Sequence, residues 1–216
     1  MSLAALLVLA DSRLPVGGHV HSGGVEEAIT AGLVGDVATV AAYLRRRIRT
    51  HGLVTASIAA AVSDGRLTLP AADRETDART PAPAARQSSR AQGRGLARLA
   101  RRIWPEGRPD LPDTWGSLGL TPHLAVASGL VGRLAGLSAQ QTAVAVVYST
   151  MTGTATAAQR LLALDPADVA ALTFEFAELC EATADDAIQD IADLSDPLLD
   201  VLAQRHAGRD RPLFSS

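Results

Sequence analysis

Side chains that could bind a metal or take part in catalysis are concentrated in residues 9–27 of this sequence, which read LADSRLPVGGHVHSGGVEE. His19 and His21 are two positions apart, so they would lie on one side of an extended segment. Imidazole is a common ligand for nickel, zinc and copper. Two ligands alone make a weak site, and neither the cysteine nor a third histidine is nearby. Metal binding by His19 and His21 is therefore the alternative to a structural or partner-facing role.

The same stretch carries three further polar side chains, Asp11, Ser22 and Glu26. With His21 they could form a small polar site, but such a cluster more often holds a loop by hydrogen bonds than performs catalysis. The sequence shows no nucleophile elbow, zinc-protease helix motif or Ser/His/Asp set in recognisable context. It also has no lysine, so its glycines do not form a P-loop. We predict that the chain is not an enzyme; a small helical enzyme of unknown chemistry is the alternative.

Glycines and a proline determine the backbone of this stretch. Gly17, Gly18, Gly23 and Gly24 permit positive φ or a close approach to another segment. Pro15 fixes its own φ and keeps the preceding residue out of the helical region. The pattern predicts a rigid, irregular loop between a short apolar helix and a second helix that begins near Gly23.

The stretch resembles the signature of the urease accessory protein F (UreF) family. That family carries Asp-Ser-x-x-Pro-x-Gly-Gly or Gly-Ser, then an aromatic residue, then x-His-Ser-x-Gly-Leu-Glu. His19 stands where the family has Tyr or Phe, and Val25 replaces its Leu. The residues that fall on the pattern are Asp11, Ser12, Leu14, Pro15, Gly17, Gly18, His21, Ser22, Gly24 and Glu26.

The resemblance extends to the second half of the chain. Residues 121–126, with Pro122, His123 and Val126, are similar to the family's Pro-His-x-x-Val helix start. The family's basic residue near the end of the central helix corresponds to Arg160, but its Pro-Leu-Gly-Gln stretch reads Leu-Ala-Leu-Asp at residues 162–165. At the C-terminus the glutamate that follows His206 in relatives is missing. The Arg-Leu-Phe-x-Ser ending is kept as Arg211, Leu213, Phe214 and Ser215, with Pro212 inserted.

The resemblance implies an all-helical, dimerising protein without catalytic residues. It would bridge the accessory protein UreD (also called UreH) and the GTPase UreG, modulate GTP hydrolysis by UreG, and help deliver nickel to the urease apoprotein. Nickel and GTP would belong to the partners, so this chain needs no cofactor. The residues implied in partner binding are Asp11, Pro15, Gly17, Gly18, His19, His21, Ser22, Glu26, Arg160, His206, Arg211 and Phe214.

Composition bounds the fold independently of the resemblance. Of the 216 residues 47% are hydrophobic but only 3% are aromatic, so alanine and leucine must provide most of the buried apolar surface. Such a composition suits closely packed helices. We predict an all-α fold, a single-domain bundle of about eight to ten helices spanning residues 1–216. Cys180 alone cannot form an internal disulfide and fits a reducing cytoplasm. No stretch has the length and hydropathy of a membrane span.

Charge is unevenly distributed along the chain. Residues 86–108 hold seven arginines and one acid, whereas residues 165–200 hold eleven acids and no base. The simplest interpretation is that each segment forms a solvent-exposed helix face. The alternative is that the opposite electrostatic fields of the two segments steer partners or a second copy of the chain. The arginines lack interleaved aromatic residues and the acidic third would repel phosphate, so neither nucleic acid nor membrane is an expected partner.

Local signals place the elements that must hold the stretch. Asp36 and Asp165 predict helix N-caps, Ser138 with Gln141 predicts a capping box, and the helix that follows is expected to be the most buried one. Residues 64–85 contain several prolines and predict a mobile connecting loop. The tail, residues 207–216, is predicted to be flexible alone and ordered by protein D, with Phe214 as its apolar anchor.

Overall fold

Helices account for 71% of the chain in the computed structural model, which describes residues 3–12, 14, 21–111, 114–209 and 213–214. Within those residues no β-strand forms, and an isolated bridge joins Arg108 and Leu111. The predicted all-α class is therefore confirmed. None of the described helices combines the length and hydropathy required to cross a bilayer.

The helices follow one another with short connections. A π-helical turn, Ile48–Gly52, joins α3 to α4 without a break. When α3 and α4 are taken as one helix, nine helices of the described chain have seven or more residues, which agrees with the predicted eight to ten. The bounds are α1 Leu3–Leu9, α2 Val25–Thr30, α3 Val37–Arg47, α4 Leu53–Ser63, α5 Leu69–Ala78, α6 Pro83–Ile103, α7 Thr114–Leu118, α8 Leu124–Leu134, α9 Ala139–Leu162, α10 Pro166–Glu175, α11 Ala177–Ala187 and α12 Pro197–His206.

Side-chain caps fix several of these bounds. The Asp36 carboxylate accepts a hydrogen bond from the Thr39 amide at 2.8 Å, and Ser138 forms the predicted capping box with Gln141. Asp165 caps α10 as predicted. The predicted start of α8 at Thr121-Pro122 is wrong: His123 is the N-cap, and its amide donates to the carboxylate of Asp73 at 3.1 Å.

The centre of the bundle is α4, not α9 as predicted. Nine of the eleven α4 residues are buried, against nine of twenty-four in α9. The reason is that α4 is short, rich in alanine and covered by α8, α9 and α11. Helix α9 is more than twice as long, and the neighbouring helices cover a smaller fraction of it. Gly129 lets α8 approach α4 closely, because a Cβ there would come within 2.5 Å of the Ala59 carbonyl oxygen.

Two apolar clusters meet at α4. One is built from α2, α3, α9, α10, α11 and α12, and it includes Phe176, Met151 and Phe214. The other is built around α4, α5, α6 and α8. Because the first cluster joins the beginning and the end of the chain, it positions the residues that the sequence singled out.

Residues 64–85 form more helix than the sequence predicted. The Thr68 side chain caps α5, Pro70 lies in the first turn, and Ala72 and Thr76 are buried. Pro83 likewise lies in the first turn of α6. The prediction of a connecting loop across this segment is therefore wrong, because proline in the first helical turn costs no hydrogen bond.

Candidate partner-binding site

The carboxylate of Glu26 joins the two ends of the chain. One of its oxygens accepts hydrogen bonds from His206 Nε2 at 2.8 Å and from the Phe214 amide at 3.0 Å. The other accepts from the Leu213 amide at 2.9 Å. We call Glu26, Arg160, His206, Leu213 and Phe214 the Glu26 junction.

The Glu26 junction is largely inside the protein. Glu26 is 4% exposed, His206 3% and Phe214 7%, whereas Leu213 is 78% exposed. Burial raises the pKa of Glu26, but the hydrogen bonds from His206 and the two tail amides more than offset that, so its pKa lies below the usual value. Glu26 is therefore ionised at neutral pH and holds the tail by charge-assisted hydrogen bonds.

Two glycines set the start of α2, on which Glu26 stands. Gly23 and Gly24 both have positive φ, 61° and 84°, and Gly24 is the N-cap. The Tyr43 hydroxyl donates to the Gly23 carbonyl at 2.9 Å and leaves no space for a Cβ at Gly24, which would come within 2.8 Å of it. These two positions of the stretch therefore require glycine to bring α2 onto α3.

The carboxylate of Asp196 anchors the helix that carries His206. It caps α12 and accepts two hydrogen bonds from Arg46 of α3, at 2.6 and 2.7 Å. Hydrogen bonds from Arg46 and the Leu199 amide outweigh the effect of burial and lower the pKa of Asp196. Because α12 is fixed to α3 at its start, His206 in its last turn reaches Glu26.

A cation covers the apolar end of the junction. The guanidinium carbon of Arg160 lies 5.0 Å from the centre of the Phe214 ring, and Arg160 itself is exposed. Nearby, Arg209 donates to Thr30 at 2.6 Å and to Glu27 at 3.2 Å. The surface of the junction is thus formed by Arg160 and Leu213, above a buried carboxylate.

Comparison with known proteins agrees with the signature. A family model described as UreF matches residues 34–177. A urease accessory protein UreF from Mycobacterium sp. (strain JLS) is 69% identical over 215 residues, covering all of this chain and 99% of the relative. Those from Mycolicibacterium vanbaalenii and Mycobacterium tuberculosis (strain H37Ra) are 68% and 64% identical with the same coverage.

This chain belongs to the UreF family. The family name assigns it to urease maturation as an accessory protein. The match covers 34–177 in the family model and the whole chain in the relatives, so the assignment does not depend on the glycine-rich stretch alone.

The structure brings together some of the residues implied by the resemblance to UreF. Glu26, Arg160, His206 and Phe214 meet in the junction, although Glu26 and Phe214 are 180 or more positions apart. Ser22 is fully buried just before α2, and Asp11 follows α1. Pro15, Gly17, Gly18, His19 and Arg211 lie outside the described residues.

The packed position of Phe214 differs from the flexibility predicted for the tail. Phe214 packs into the core of its own chain, and the amides of Leu213 and Phe214 are hydrogen-bonded to Glu26. The difference arises because an ionised carboxylate under the tail offers acceptors that the sequence alone does not place there. Which tail residues contact protein D stays a prediction.

His21, half of the predicted alternative metal pair, is hydrogen-bonded within the chain. Its Nδ1 lies 2.9 Å from the Ser88 hydroxyl of α6. The bond joins the end of the stretch to α6, which is a structural role. With His19 outside the described residues, the metal-binding alternative stays a prediction.

A second buried histidine was not anticipated as a site. His123 Nε2 donates to Asp77 at 2.9 Å, and its Nδ1 accepts from Ser89 at 3.0 Å. Asp73, Asp77 and His123 are close enough to hold a metal ion. However, the Arg90 guanidinium bonds Asp73 at 3.0 Å and Asp77 at 2.7 Å, so it occupies an oxygen of each carboxylate and offsets one of their two negative charges. We call Asp73, Asp77, Ser89, Arg90 and His123 the Arg90 network.

Sequence reasoning missed Tyr43 and Arg209. Cys180 is buried, and burial raises the pKa of its thiol to about 11, so it is an inert core residue. Little in the sequence indicates that Tyr43 contributes to the site, apart from its place on the inner face of α3. Nothing in the sequence indicates Arg209, because its partners Glu27 and Thr30 lie at the other end of the chain.

Proposed function

We propose that this UreF-family chain is a maturation scaffold that bridges UreD (UreH) and UreG and modulates GTP-dependent nickel insertion into the urease apoprotein. It performs no catalysis of its own, and nickel and GTP are bound by the partners. It acts in the cytoplasm as a homodimer. The single observation that carries the proposal is the Glu26 junction.

The junction supports bridging because it combines the signature stretch with the tail in one place. A partner that contacts the tail acts on Leu213 and Phe214, whose amides are held by Glu26. Glu26 in turn stands on α2, directly after the glycine-rich stretch. A contact on either segment is therefore transmitted to the other through one carboxylate.

The exposed part of the junction has the composition of a protein contact. Leu213 is 78% exposed beside the exposed guanidinium of Arg160. Arginine is enriched at protein interfaces, and an exposed leucine offers apolar surface for a partner to cover, whereas the buried carboxylate beneath them holds the tail in position.

The test is reconstitution of a ternary complex with purified UreG and UreD. We expect the chain to capture UreG only when UreD or a comparable partner is present, and to show no GTPase activity alone. Leu213→Ser should weaken the complex at least severalfold, because the side chain is exposed and its loss leaves the core intact. Binding is measured by pull-down and by calorimetry.

The matched control is Leu120→Ser, which removes a leucine that is 86% exposed and lies outside the junction. It should bind as the unaltered chain does. If no ternary complex forms with the unaltered chain, the bridging function is rejected. If both leucine variants bind normally, the contact surface is not at the junction.

A further inference from the structure

The π-helical turn between α3 and α4 places two basic side chains on a partly open cavity of the bundle. Arg47 precedes the turn and His51 lies within it, four positions later. Both line a cavity of about 250 Å³. π-Helical turns are rare and are found mostly at functional sites, because the extra residue redirects neighbouring side chains.

Arg47 has no counter-ion in contact. Its Nε is buried and forms no hydrogen bond within the described residues. The guanidinium lies against Gly23, where a Cβ would come within 2.7 Å of its central carbon. Burial lowers the pKa of Arg47 from its ordinary value, yet an arginine remains charged in a protein. A buried N–H without an acceptor, as at Nε of Arg47, is costly unless a ligand meets it.

The charged groups nearest to Arg47 are already engaged. Asp196 is bound by Arg46 through both oxygens, and the Thr50 hydroxyl donates to it at 3.2 Å. Arg79, which also lines the cavity, is paired with Glu75. Asp11 and Asp200 line the cavity as well, and in the described part of the chain neither forms an ion pair with Arg47.

His51 can supply a second donor. Its side chain is exposed, and either neutral tautomer of an imidazole carries one ring N–H. Its ring has no hydrogen-bond partner among the described side chains, and its surface opens onto the cavity.

We propose that Arg47 and His51 form a binding site for a small oxyanion of the carboxylate type inside this cavity. The guanidinium presents parallel N–H donors that match two oxygens of one anion. The volume is sufficient for an anion of a few heavy atoms with water, since a water molecule takes about 30 Å³. Binding would supply the counter-ion that Arg47 lacks.

The test uses the full chain with acetate, phosphate and chloride at matched ionic strength. Acetate should produce a saturable shift of the Arg47 Nε–H resonance and raise the melting temperature above the chloride value. Phosphate distinguishes a tetrahedral from a planar anion. A larger response to phosphate than to acetate would overturn the carboxylate assignment.

Arg47→Gln should abolish the acetate response, and His51→Ala should weaken it. Arg49→Gln is the matched control, since Arg49 is an exposed neighbour in the same turn and should leave the response unchanged. An equal response in Arg47→Gln, or no saturable shift in the unaltered chain, would overturn the site. The resonance of the unaltered chain decides the question even if a variant does not fold. None of these outcomes depends on UreD or UreG.

Discussion

The Glu26 junction and the Arg90 network both pair a buried histidine with a carboxylate, yet they are built differently. In the Arg90 network an arginine bonds both carboxylates, and all members come from α5, α6 and α8 and the turn before α8. In the Glu26 junction one carboxylate receives a histidine and two backbone amides from the far end of the chain. The first network shares one cation between two carboxylates, and the second holds a terminal segment.

The difference is what we expect if the first region belongs to the scaffold and the second takes part in the proposed recognition. The members of the Arg90 network lie on helices that many contacts already hold, so it stabilises a fixed packing. The Glu26 junction fastens Leu213 and Phe214, which lie outside the helices of the described chain, and it ends in an exposed leucine and an exposed arginine. A partner can therefore contact side chains of the second arrangement directly.

Glu26→Ala should have the largest effect on stability. It removes the acceptor of three hydrogen bonds and leaves His206 and two tail amides without it, so we expect a loss of about 3 kcal/mol in the free energy of unfolding. Urea denaturation measures it. Glu27→Ala, which removes one partly exposed bond to Arg209, should cost under about 1 kcal/mol. Equal losses would contradict the central place of Glu26.

His123→Ala should cost about 2 kcal/mol, because it leaves Asp77 and Ser89 without their buried partner. Unlike Glu26→Ala, it should not alter assembly with UreD and UreG under conditions where the chain is folded. Arg66→Ala breaks an exposed ion pair with Asp64 and is the control, with an expected change of about 0.5 kcal/mol or less. A loss of assembly in folded His123→Ala would remove the distinction between the two regions.

The two regions should also differ in their dependence on pH. Burial lowers the pKa of His123 below its ordinary 6.5, so the unfolded chain binds a proton first and stability falls as pH decreases below that value. The lowered pKa of Glu26 acts in acid: its contribution is present above the ordinary 4.5 and is lost as pH falls through the folded-state value.

These two windows are separable by mutation. His123→Gln should flatten the fall in the urea midpoint between about pH 7 and pH 5, whereas Glu26→Gln should flatten only the fall at more acidic pH. Asp77, whose pKa is also lowered, contributes to the acid window in both variants. A neutral-range slope that survives in His123→Gln would show that another group titrates there.

Arg160→Met should have the smallest effect on stability, about 0.5–1 kcal/mol, because a cation over an aromatic ring at the surface contributes little. Arg101→Met is the matched control, since Arg101 lies 5.2 Å from the Trp115 ring in a region outside the junction. The two losses should be similar, and only Arg160→Met should reduce the UreD-dependent capture of UreG. Similar capture by both variants would exclude Arg160 from the contact.

Much of the local structure could be predicted from the sequence, because it depends on residues that are close together in the chain. Asp36, Ser138 and Asp165 act on amides within four residues, so the starts of α3, α9 and α10 follow from short sequence windows. The errors have local causes too. In residues 64–85 the prolines occupy first helical turns rather than breaks, and α8 begins late because Asp73 holds the amide of His123.

The sequence by itself determined the all-α class and the family, and it singled out Glu26, His206 and Phe214, since these inferences depend on composition and on a long, specific pattern. Only the tertiary structure decided that the three are in contact and that the carboxylate is buried with its tail. It also placed Arg47 and His51 on one cavity and surrounded Arg90 with two carboxylates. The physical reason is distance along the chain: a cap is satisfied by its neighbours, whereas a carboxylate that receives donors 180 and more residues away depends on how every helix between them packs.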